Sequence, residues 1–121
     1  MNLEVYKIWF DDKKGVLYVK TFKTIDAEDI HRLMPEVDRL LGGNPHRYIL
    51  GDLSENPSDL LTKEARQAFK KYKDVEYDRI AVIGVNPITR MVVKIAIKII
   101  GQSDKTRFFN SEDEALKWLR E

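Results

Sequence analysis

The sequence predicts an α/β fold, a mixed, mostly parallel five-stranded sheet with four helices in the order β-β-α-β-α-β-α-β-α. Two observations lead there. Short runs of β-branched, aromatic and aliphatic residues alternate with stretches whose apolar residues recur at i, i+3, i+4 and i+7. Helix-start chemistry precedes each periodic stretch, and the connections are short, with no linker, repeat or low-complexity segment, so residues 1–121 read as a single domain. Strands reached through a helix should pair in parallel by right-handed crossovers, which leaves the N-terminal strands to form an antiparallel edge.

Residues 3–10 and 16–22 are strand-forming and flank Asp11-Asp12-Lys13-Lys14-Gly15, which makes them a hairpin with a polar tip. The first helix opens at Asp26, with Glu28 and Asp29 in its first turn. Its apolar stripe is Ile30, Leu33, Met34, Val37, Leu40 and Leu41, and Gly42-Gly43 ends it. Pro35 inside that stripe forfeits a hydrogen bond and predicts a kink. Tyr48-Ile49-Leu50, stopping at Gly51-Asp52-Leu53-Ser54, suits a strand covered on both faces. After the turn formers of residues 55–59, Thr62 caps a second helix whose apolar positions are Ala65, Ala68, Phe69 and Tyr72. Residues 79–85 form the next strand. Asn86 as cap and Pro87 at the first helical position open a third helix running to about Ile100. A short strand over 105–109 precedes Ser111, which stands three residues before Glu114 as in a capping box. The last helix buries Ala115, Leu116, Trp118 and Leu119.

At 121 residues the chain is long enough to bury its own core, and 43% hydrophobic with 34% charged residues marks an ordered soluble domain. The balance of 21 basic and 20 acidic side chains gives no global attraction to nucleic acid. The basic run Lys63, Arg66, Lys70, Lys71 and Lys73 lacks interleaved exposed aromatics, so no nucleic-acid partner is expected. The absence of cysteine removes disulfides and thiolate metal sites. With no signal-peptide pattern and no apolar run near the ~20 residues of a membrane span, the expected location is cytoplasmic.

Three features together resemble the SpoIIAA-like family, small domains related to STAS domains and to the lipid-binding SEC14 (CRAL-TRIO) fold. They are the strand from Tyr48 that ends in Asp52-Leu53-Ser54, the strand Arg79-Ile80-Ala81-Val82-Ile83-Gly84, and the tail Arg107-Phe108-Phe109 with Glu114-Ala115-Leu116-Lys117-Trp118-Leu119. The resemblance covers nearly the whole chain and implies a single SpoIIAA-like domain. Anti-sigma-factor antagonists of this kind carry an Asp-Ser-Ser-Gly motif with a phosphorylated serine. The corresponding stretch here is Ser58-Asp59-Leu60-Leu61-Thr62, so that switch does not carry over as it stands.

Candidate sites follow from both lines of reasoning. The third helix carries apolar residues around most of its circumference, with Arg90, Lys94 and Lys98 four apart along one face. It reads either as a well-buried helix with one solvated cationic stripe, or as a surface meeting an apolar ligand, a second subunit or a membrane. In the ligand reading, implied by the SEC14 side of the resemblance, the second and third helices part around a small apolar or lipid-like molecule. Phe69, Tyr72, Met91, Val92 and Ile95 would line the cleft, while Arg90, Lys94 and Lys98 meet a head group. In the alternative, implied by the STAS side, a regulatory loop of Asp52, Ser54, Ser58 and Thr62 docks a protein partner. A homodimer through the third helix stays open. Thr24, Asp26, Asp52, Ser54, Ser58, Thr62, Asn86, Asn110 and Ser111 should gather at the carboxyl edge of the sheet, as caps and turn formers or as an anion-receptive edge. His31 and His46 have no metal-ligand spacing, and no base accompanies Asp52 and Ser54. The expectation is a non-enzymatic binding domain with no cofactor or metal.

Overall fold

The computed structural model describes residues 4–56 and 59–121. Strands β1 (Tyr6–Asp11) and β2 (Val16–Thr21) form the antiparallel hairpin, with Tyr6 opposite Thr21 and Asp11 opposite Val16. Its turn closes where the Asp11 carbonyl and carboxylate accept the Gly15 and Lys14 amides at 2.8 and 3.0 Å. Then come α1 (Ala27–Leu41), β3 (Tyr48–Asp52), α2 (Lys63–Ala68), β4 (Arg79–Ile83), α3 (Pro87–Ile99), β5 (Thr106–Phe109) and α4 (Glu112–Leu119). The sheet runs β1-β2-β3-β4-β5, and every pairing from β2 onward is parallel.

Because space order equals chain order, right-handed crossovers place α1, α2 and α3 on one face. The apolar layers show this. Leu17, Ile49, Ile80 and Val82 face those three helices, whereas Val16, Tyr18, Leu50, Ala81 and Ile83 face Ala115 and Leu119 of α4. Leu116 and Trp118 pack half-buried on that second layer.

The caps form as expected at Asp26, Thr62, Asn86 and Ser111, each accepting an amide three residues on. The reciprocal capping box is found at α1, where Asp26 and Asp29 exchange bonds of 3.0 Å, and at α4 only the Ser111 half is made. Helix α1 continues through Pro35, which is exposed, as is His31 one turn earlier; water can therefore satisfy the carbonyl that proline leaves without a donor. The second helix is shorter than its pattern suggests. After Ala68 the chain tightens into a 3₁₀ turn over Phe69–Tyr72, where residues three apart lie one above the other. The Tyr72 hydroxyl then meets His31 Nδ1 on α1 at 2.8 Å.

Candidate functional site

Helix α3 organises the candidate site. Asn86 Oδ1 accepts the Thr89 amide at 2.8 Å and Pro87 supplies a preset φ, so the helix starts firmly beyond β4. Its thirteen residues then divide into three faces. Thr89, Val93, Ala96 and the following Ile100 are buried against the sheet. Arg90, Lys94 and Lys98 form an exposed cationic stripe. Beside it Ile88, Met91 and Ile95 stand 65%, 66% and 45% exposed, three of the four large hydrophobic side chains that are exposed among the described residues.

Under the buried face lies an apolar cavity of about 170 Å³. Its roof is Val93, Ala96, Ile97 and Ile100, its side wall is Leu33, Met34 and Val37 of α1 with Phe69, and its floor is Val19, Ile49, Gly51, Ile80 and Val82. Gly51 explains part of the space. It sits mid-sheet between Val19 and Val82, and a Cβ built there would come no nearer than 3.9 Å to the Ala81 carbonyl oxygen. A glycine in a strand interior costs order and packing, and it is found where something else approaches the backbone.

Beyond the cationic stripe lies a groove of about 530 Å³ between α3 and the open edge of β5. Arg90, Lys94, Ile97 and Lys98 form one wall, and Ser103, Thr106, Arg107 and Phe108 the other. The Arg90 guanidinium stands 4.6 Å from the Phe108 ring centre and Lys94 Nζ stands 6.0 Å from it. Among the described residues no carboxylate lies within 4.0 Å of Arg90, Lys94 or Lys98. Arg107 differs, since its guanidinium lies 5.2 Å from the Trp118 ring, which Arg79 approaches to 5.0 Å.

The five cleft candidates do not converge. Phe69 lines the apolar cavity, Tyr72 is drawn to His31, Val92 is half-buried against the main core, and Met91 and Ile95 face outward. The three head-group candidates Arg90, Lys94 and Lys98 do share one groove. The residues that sequence reasoning missed are Gly51 and the cavity roof. The only signal for them was a glycine inside an apolar strand.

The strand ends are stitched to one another. Ser54 Oγ donates to Asp52 at 2.7 Å, and Lys20 bridges Glu55 at 2.5 Å and Asp52 at 3.9 Å, with Glu55 holding the Lys20 ammonium above its ordinary pKa. Thr24 Oγ1 donates to the Asp59 carbonyl, and the Thr62 hydroxyl is occupied by the Ala65 amide at 3.0 Å. Asp26, Asn86 and Ser111 cap their helices; Asn110 is exposed, and Ser58 lies outside the described residues. A sheet wound in one direction also lacks the reversal of strand order that opens a crevice at strand ends. Among the described residues no cluster of three or more His, Asp or Glu is placed to hold a metal, and no helix is long and apolar enough to cross a membrane.

The chain is similar to the crystal structure of an uncharacterized protein of the DUF3478 family from Shewanella loihica PV-4, described as having a SpoIIAA-like fold. The two share 22% identity with a TM-score of 0.67, and the match covers 98% of each chain. At that identity the likeness establishes the fold, which is SpoIIAA-like. No curated protein matches the chain. A family model does: the one described as "Domain of unknown function (DUF7793)" matches residues 8–121, so the chain belongs to that family.

Proposed function

We propose that this domain binds a small apolar or lipid-like molecule without transforming it, and that it meets membrane surfaces through the outer face of α3. The observation that carries the reading is the apolar cavity beneath α3, with Gly51 in its floor. Dry apolar cavities near 150 Å³ take up benzene-sized guests, so about 170 Å³ suits one ring or an alkyl chain of about six carbons. The membrane part rests on Ile88, Met91 and Ile95, an apolar stripe flanked by Arg90, Lys94 and Lys98. An interfacial helix has this cross-section, with aliphatic side chains entering the acyl boundary and cations meeting anionic lipid. A second copy of the chain is a poorer occupant in an antiparallel arrangement, where two α3 helices packed face to face would bring their cationic stripes together.

Titrating 1-hexanol into methyl-labelled protein tests the cavity. Saturable shifts at Ile80, Val82 and Val93 are expected in the wild type and should vanish in Gly51→Val, whose side chain fills the floor. That variant should also melt higher, since removing a strand glycine gains about 0.5–1 kcal/mol. An equal response in both proteins, or none in the wild type, overturns the reading.

A further inference from the structure

Among the described residues, Ile97 is the one that lines both the apolar cavity and the cationic groove. The strands that line the two spaces are neighbours. In the parallel register of β4 and β5, Ile80 stands beside Thr106 and Val82 beside Phe108, so the cavity floor on β4 abuts the groove wall on β5. Helix α3 borders both, with its apolar face on one and Arg90, Lys94 and Lys98 on the other. Resting on the function proposed above, we infer that the two spaces hold one molecule, a small anionic amphiphile. Its apolar tail of about six carbons fills the cavity, the half-buried Ile97 turns aside at the waist, and its carboxylate or phosphate sits on Arg90, Lys94 and Lys98.

The chemistry of each compartment sets the class. The cavity is walled by aliphatic and aromatic side chains and gives a polar head almost no partner, so burying a charge there is prohibitive. The groove offers four cations, Arg90, Lys94, Lys98 and Arg107, without carboxylate partners among the described residues. A neutral apolar guest would leave the groove empty, and inorganic phosphate would leave the cavity empty. A molecule with both parts satisfies both, and joining them makes the second contact intramolecular.

Hexanoate, hexyl phosphate, 1-hexanol and inorganic phosphate separate the possibilities. By calorimetry, hexanoate or hexyl phosphate should bind at least tenfold more tightly than 1-hexanol, and whichever is tighter identifies the head. Either should shift the cavity methyls of Ile80 and Val93 together with the Thr106 and Phe108 amides. The exposed double variant Arg90→Ala/Lys94→Ala should lower their affinity to that of 1-hexanol while leaving 1-hexanol unchanged, and added salt should weaken the anions alone. Equal affinity for 1-hexanol and the anions overturns this inference and leaves the apolar site standing. Phosphate binding as tightly as hexyl phosphate, without cavity shifts, also overturns it. If none of the alkyl ligands moves the cavity methyls, this inference and the reading beneath it both fail.

Discussion

Tyr77 and Gly84 show how single residues hold the site in place. Tyr77 is buried beside the apolar cavity with the Arg47 guanidinium 5.6 Å from its ring, and burial pushes its phenol up to about 12 from an ordinary 10. A raised pKa means that the fold favours the neutral phenol. The stabilisation is complete below pH 10 and drains away as pH rises through about 12. Chemical denaturation across that window should show wild type losing about 3 kcal/mol more than Tyr77→Phe, which has no proton to release. Gly84 ends β4 with φ at 78°, and a Cβ there would collide with the Ser54 backbone. The left-handed conformation and the collision add, so Gly84→Ala should cost about 2–4 kcal/mol in denaturant titration. That close approach locks the Asp52–Ser54 turn against the end of β4, where the Leu53 amide donates to the Ile83 carbonyl at 3.0 Å.

At the level of elements, α3 separates the two parts of the proposed function, since its inner face roofs the cavity and its outer face is free for a surface. Met91→Lys with Ile95→Lys changes only exposed positions, so the fold and 1-hexanol binding should survive. Co-sedimentation with phosphatidylglycerol vesicles should fall at least tenfold, whereas unaltered sedimentation would remove the membrane role from this face. Much of this helix was legible in the sequence: the Asn86 cap, the Pro87 start, the stop before Gly101, and the cationic stripe that does share one groove. Which apolar face is buried was not. Residues around most of the circumference are apolar, so periodicity alone could not tell Val93 and Ala96 from Met91 and Ile95. Tyr72 was misplaced for a different reason. An α-helical spacing was assumed where the backbone tightens to 3₁₀, and the His31 contact that holds Tyr72 comes from a residue 41 positions away.

At the scale of the whole molecule, one sheet serves two apolar layers of unequal size. β2, β3 and β4 contribute alternate residues to each, as Ile49 and Leu50 do. The two layers are therefore coupled through the strands they share. Leu119→Ala, in the smaller layer, should therefore cost about 2–5 kcal/mol and move the unfolding midpoints seen by tryptophan fluorescence and by far-ultraviolet dichroism together. The alternation of strands and helices, and the antiparallel N-terminal hairpin, could be read directly from residue patterns, because each is a local property. The cavity could not, since its walls come from β2, β3, β4, α1, α3 and the 3₁₀ turn, and their meeting depends on the direction in which the sheet is wound. The same winding has a consequence for the birth of the protein. A chain leaving the ribosome adds each new strand to the edge laid down just before it, and no strand waits for a distant partner. The vulnerable interval comes late. After β4 has docked and before β5 emerges, the apolar edge Arg79–Ile83 lies bare, and a neighbouring nascent chain can pair with it, so a pause in translation there exposes the chain to aggregation.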